Sequence, residues 1–87
     1  MQWYRAEIKG DGFFFDGGSL LLEKKVVEYI FRALSDEDAE RIVRIFAGSR
    51  EFRREYWVTD MNPEVVLTKF VGGTYIPQEA SARLINS

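Results

Sequence analysis

The sequence predicts a small single α+β domain: an N-terminal β-hairpin, a helical hairpin, a three-stranded antiparallel meander and a short C-terminal helix. Three observations lead there. Residues 2–9 alternate apolar and polar with a period of two. Residues 20–34 and 36–47 carry apolar side chains at helical spacing. Residues 50–76 return to short β-rich runs separated by turn signals.

Composition bounds the rest. The chain has 87 residues, which argues for one domain. A chain this short buries only ~60–65% of its unfolded surface. It has no cysteine and no histidine, so disulfides and thiolate or imidazole metal sites are excluded. The core must come from apolar packing, and 46% of residues are apolar. The net charge is −2, which gives no overall attraction to nucleic acid or an anionic membrane. The segment Met-Gln-Trp-Tyr-Arg does not read as a secretory signal, and no apolar run approaches the ~20 residues of a membrane span. The expected location is therefore cytoplasmic. There is no internal repeat, low-complexity tract or linker.

In the first hairpin, Gln2, Tyr4, Ala6 and Ile8 form the more apolar face of a strand. Gly10-Asp11-Gly12 reads as its turn and Phe13-Phe14-Phe15 as the returning strand. Ser19 then reads as the N-cap of a first helix over residues 20–34. Leu22, Val26, Tyr29, Ile30 and Ala33 make its stripe, and Glu28–Arg32 is an i,i+4 pair. Its apolar surface is wide enough that the helix is expected to be largely buried, or to face both its own sheet and a partner.

Ser35-Asp36-Glu37-Asp38 is the clearest local signal. Ser35 caps a second helix, Asp38 stands where a capping-box acid reaches back, and three acids sit at the positive end of the dipole. Ala39, Ile42, Val43 and Phe46 follow at helical spacing, Glu37–Arg41 and Glu40–Arg44 are i,i+4 pairs, and Gly48 supplies a left-handed stop. Phe52, Arg54, Tyr56 and Val58 then alternate with Arg53, Glu55, Trp57 and Thr59 as a strand. Residues 65–71 are rich in β-formers, although Asn62-Pro63 could instead open a helix that Gly72 ends; the β-branched content favours strand. Gly72-Gly73 reads as a hairpin turn before Thr74-Tyr75-Ile76. Pro77 opens the C-terminal helix, with Ala80, Leu84 and Ile85 inward.

Four patterns bear on function. Arg41, Arg44, Arg50, Arg53 and Arg54 cluster before Tyr56 and Trp57. Arginines beside aromatics can hold phosphates and stack on bases, so Arg50, Arg53, Arg54 and Trp57 are the candidate binding residues. Against this, Arg41 and Arg44 have helical acid partners, and Arg53 and Arg54 would diverge on a strand. Asp16-Gly17-Gly18-Ser19 before a helix could cradle an anion, but lacks a phosphate-loop ending and reads better as a turn. Asp11, Asp16, Asp36, Asp38 and Asp60 could hold magnesium as a hydrolase would, but none has a catalytic spacing and Asp36 and Asp38 are accounted for by capping. Finally, Trp3, Phe13, Phe14, Phe15, Trp57 and Tyr75 are many large rings for a small core, and Trp and Tyr are frequent interface anchors.

The expectation is a non-enzymatic binding protein without metal or cofactor, acting on another protein as an inhibitor or accessory subunit and able to form a homodimer. Viruses and mobile elements encode many such small domains. The alternatives are nucleic-acid or nucleotide binding through the Arg/Trp cluster, and a carboxylate-metal hydrolase.

Overall fold

A computed structural model describes residues 1–71 and 77–86. Their elements run β1 (Gln2–Asp16), β2 (Ser19–Ala33), α1 (Asp36–Ala47), α2 (Arg50–Tyr56), β3 (Glu64–Lys69) and β4 (Ser81–Leu84). The strands form one antiparallel sheet in the order β3-β1-β2-β4. The architecture is α+β, as expected, with a different assignment of several segments.

The sheet is built on one long hairpin. β1 and β2 pair along their whole length, from Gln2 opposite Ala33 to Asp16 opposite Ser19. The turn is Gly17-Gly18, with φ of 56° and 88°. A two-residue hairpin turn of the type I′ class needs positive φ at both positions, which glycine adopts without steric cost. This corrects the expected turn at Gly10-Asp11-Gly12 and the expected helix over residues 20–34. Ser19 begins a strand and caps nothing.

Even residues of β1 and odd residues of β2 face the helices, since alternate side chains point to opposite faces. Tyr4, Ala6, Ile8, Val27, Phe31 and Ala33 are buried there. Ala39, Val43 and Ala47 of α1, Phe52 of α2 and Val58 close the core from the other side. A chain of rings crosses the layers: Tyr4 stacks on Phe31 at 5.8 Å, Phe31 on Tyr29 at 4.8 Å, and Tyr29 on Phe46 of α1 at 4.0 Å. Phe46 then meets Phe52 of α2 edge-on at 5.2 Å. Such ring pairs add ~0.5–1.5 kcal/mol each beyond area burial.

α1 begins as the sequence indicates. The Ser35 hydroxyl accepts from the Asp38 N–H at 3.1 Å, and Asp38 accepts from the Leu34 N–H at 3.1 Å. That backbone bond, then Arg41, holds the Asp38 carboxyl below its usual range. Arg41 pairs with Asp38 rather than with Glu37, while Arg44 keeps Glu40 at 3.5 Å. Gly48 ends the helix at φ −89°, a right-handed conformation, correcting the left-handed stop.

Residues 50–56 are helical, which corrects the first strand of the expected meander. Ser49 is the N-cap, accepting from the Phe52 N–H at 3.1 Å. Trp57 ends the helix in the left-handed region, at φ 56° and ψ 39°. Phe52 and Tyr56, one turn apart, face the core; their ring centroids lie 5.4 Å apart. β3 confirms strand over helix at residues 64–69, but it pairs with β1, not with a neighbouring meander strand. The expected turn at Gly72-Gly73 and strand at residues 74–76 fall outside the described residues. The expected C-terminal helix is also corrected: Ser81–Leu84 is a strand that pairs with β2 from Val27 to Ile30. Among the described residues no helix is long and apolar enough to cross a membrane.

Candidate protein-contact surface

β1 and β2 run past the elements that cover them. β3 pairs with β1 only from Tyr4 to Lys9, and β4 with β2 only from Val27 to Ile30. The far part of the hairpin, residues 13–22, forms an arm that contributes to a long axis of 44 Å against 25 and 17 Å. Its sequence is apolar on both faces. Phe13 pairs with Leu22 and Phe15 with Leu20 on the face away from the helices, and Phe14 pairs with Leu21 on the other. Phe15 is 69% exposed, Leu22 59% and Leu20 52%.

Single exposed apolar residues are ordinary on protein surfaces, whereas a contiguous exposed apolar group is not.

The arm is anchored at its base. Gly12 bridges Val58, and the Phe13 N–H donates to the Trp57 carbonyl at 3.0 Å. A Cβ on Gly12 would collide with that carbonyl and lie 2.8 Å from Lys25 Cδ, so glycine permits the close approach. Lys25, opposite Gly10, is buried. Its ammonium donates to the Tyr56 carbonyl at 2.5 Å, near the negative end of α2, and lies 4.5 Å above the Phe14 ring. Burial pulls its pKa below that of an ordinary lysine. Lys25 thus ties the base of the arm to the end of α2.

The face of the sheet away from the helices carries an ion network. Glu28 accepts from Arg5 at 2.6 Å and from Arg83 at 3.0 Å, joining three strands. Burial pushes the Glu28 carboxyl up, but the two guanidinium groups outweigh it and hold it below the usual range. Arg5 also pairs with Glu7 at 3.4 Å, and Arg32 stacks over Trp3 at 5.2 Å. The expected Glu28–Arg32 helical pair therefore does not form. On the helix side, the Tyr4 hydroxyl donates to Asp36 at 2.6 Å, and Lys69 lies 3.4 Å from the same carboxylate. The hydrogen bond to Asp36 lifts the Tyr4 phenol to about 12.

The candidate binding residues lie on one element. Arg50, Arg53, Arg54 and Trp57 fall at i, i+3, i+4 and i+7 along α2 and its cap, so Arg53 and Arg54 diverge by about 100° instead of pointing to opposite faces as they would on a strand. Arg50 and Arg54 are exposed. Arg53 is half-buried and donates to the Gly48 carbonyl at 3.0 Å. Trp57 is 48% exposed, with Lys25 Nζ 5.9 Å from its ring.

Among the described residues no three carboxylates come close enough to hold a metal ion. Asp36 and Asp38 serve Tyr4, Lys69 and the first turn of α1. With no helix after Gly17-Gly18, the anion cradle read from residues 16–19 has no helix N-terminus to draw on.

The sequence singles out Phe13, Phe14 and Phe15 as surplus rings, but not the arm they form with Leu20, Leu21 and Leu22. The arm's signal is the pair of apolar triplets, Phe13-Phe14-Phe15 and Leu20-Leu21-Leu22, placed symmetrically about Gly17-Gly18. No protein-family model, curated protein or solved structure matches the chain.

Proposed function

We propose that the chain is a non-enzymatic binding protein acting through protein–protein contacts, as an inhibitor or accessory subunit, and that the arm is its contact surface. One observation carries this reading: six apolar side chains extend past both helices on a hairpin anchored at its base by Lys25 and Gly12. An arm so held presents its side chains in a fixed geometry, which lowers the ordering cost of docking. Its Phe and Leu side chains suit an apolar groove on a protein partner.

The test is capture from a native-host lysate with cross-linking, comparing wild type with a Phe15→Thr/Leu22→Thr double variant. Threonine keeps the strand preference while removing the exposed apolar bulk. The reading expects a protein held by wild type and lost by the double variant. Equal capture by both, or none by wild type, contradicts it.

A second reading has one observation in its favour. The alignment of Arg50, Arg53, Arg54 and Trp57 along α2 suits a nucleic-acid or nucleotide phosphate beside a stacking ring. It predicts anisotropy-detected binding to single- or double-stranded oligonucleotides that weakens steeply with salt. No binding at low salt removes it. A carboxylate-metal hydrolase has no observation in its favour.

A further inference from the structure

The outer edge of β2 changes character along its length. Next to β4 it is paired, and just past β4 it is closed by single bonds. The Ile85 N–H donates to the Val26 carbonyl at 2.9 Å, and the Val26 N–H donates to the Asn86 side chain at 2.9 Å. The same side chain donates to the Lys24 carbonyl at 2.7 Å. Among the described residues nothing pairs with this edge beyond Lys24. Bonding groups alternate along an antiparallel strand, so Leu20 and Leu22, like Lys24 and Val26, direct their N–H and C=O groups off the sheet.

Natural edge strands are blunted by lysine, proline or a bulge. Ser19-Leu20-Leu21-Leu22 has none of these. The corresponding edge of β1 is different: the Trp57 carbonyl closes it at Phe13, leaving only its last residues open.

Resting on the reading of the arm as a protein-contact surface, we propose that its partner is a second copy of this chain, paired antiparallel along the open edge of β2 about a two-fold axis at Leu21. This register is self-complementary. Leu20 of one copy exchanges both backbone bonds with Leu22 of the other, twice over by symmetry. The two Leu21 side chains form the close, non-hydrogen-bonded pair on one face. On the other face, Leu20 and Leu22 of both copies form a row flanked by Phe13 and Phe15 of each.

The charges agree with it. Glu23 falls opposite Ser19 of the second copy, and Lys24 meets the glycine turn beside Asp16 of the second copy, so no like charges oppose. A two-fold centred one residue later, at Leu22, would bring the two Glu23 side chains into diagonal proximity.

The test is sedimentation of the intact chain over a range of concentrations, for wild type, Leu21→Lys, Leu21→Glu and an equimolar mixture of the two variants. Leu21 is at the surface, so neither substitution disturbs the core. Wild type should move toward twice the 10.1 kDa of one chain as concentration rises. Each variant alone should remain at the monomer mass, because like charges meet at the axis. The mixture should regain the double mass, because opposite charges then meet there. A Leu22→Pro variant gives a second reading of the edge: it removes an outward N–H that the monomer does not use, and should abolish the double mass while preserving the circular dichroism of the fold. A wild type that stays monomeric at the highest concentration overturns the proposal but leaves the capture test of the contact surface standing. A dimer indifferent to the Leu21 charges also overturns it.

Discussion

The two ends of one hairpin obey different rules. Between Gln2 and Gly12 on β1, and between Lys25 and Ala33 on β2, alternate residues are buried under two helices. Between Phe13 and Leu22 the same two strands continue with no helix over them and with apolar residues on both faces. Strand pairing is continuous across the boundary, so local structure does not separate the regions; the packing does. The covered end supplies the core. The uncovered end keeps apolar surface in water, which is where a contact surface is proposed.

Variants can sharpen this contrast, and the largest effect belongs at the covered end. Phe31 is buried and stacks on the rings of both Tyr4 and Tyr29. Phe31→Ala should lose ~3–5 kcal/mol in urea unfolding, a large share of the ~4–13 kcal/mol of a domain this size. At the boundary, Gly12→Ala forces a methyl group onto the Trp57 carbonyl. It should cost ~1–3 kcal/mol, and faster amide exchange at Phe13 should show the arm released from its base.

Smaller effects come from charge, read as stability against pH. Lys25 has a lowered pKa in the folded chain. Between its folded and unfolded pKa values the unfolded state binds more protons, so its penalty is full below the folded value and fades as pH rises. Lys25→Met should therefore flatten the alkaline part of the stability curve. Glu28 has a lowered pKa under Arg5 and Arg83. Its contribution is present above the ordinary glutamate range and is lost as pH falls through the folded value. Glu28→Gln should flatten the acidic part of the curve.

Local signals were legible where they were self-contained. Ser35 and the acids after it mark α1 because a cap and its first turn need no distant partner. β3 was readable from Val65, Val66 and Leu67. The failures share a cause. Residues 20–34 carry Val26 and Ile30 on the face opposite Val27 and Phe31, and apolar residues on both faces of a strand hide its period of two. The deciding information lay in Gly17-Gly18, a two-glycine turn between two apolar runs, and in pairing with β1. Gly10 and Gly12 resemble a turn, yet Gly12 marks the close approach of the Trp57 carbonyl and Gly10 that of the Val58, Asp60 and Pro63 side chains, which only the position of residues 57–63 reveals. Residues 50–56 alternate like a strand, but Ser49 caps them, and Phe52 and Tyr56 are also one helical turn apart. Of the candidate residues, Arg50, Arg53, Arg54 and Trp57 were legible as a cluster but not as one helix and its cap, and Phe13, Phe14 and Phe15 were legible as surplus rings while their pairing with Leu20, Leu21 and Leu22 was hidden by reading β2 as a helix.

The most direct measurement of the central contrast is urea unfolding of Phe15→Thr/Leu22→Thr beside wild type, at a concentration where sedimentation finds both monomeric. The account predicts a change within ~0.5 kcal/mol, since these side chains stand outside the core. A loss above ~2 kcal/mol, approaching that of a core truncation, would mean that the arm belongs to the fold and is not a surface held ready for a partner.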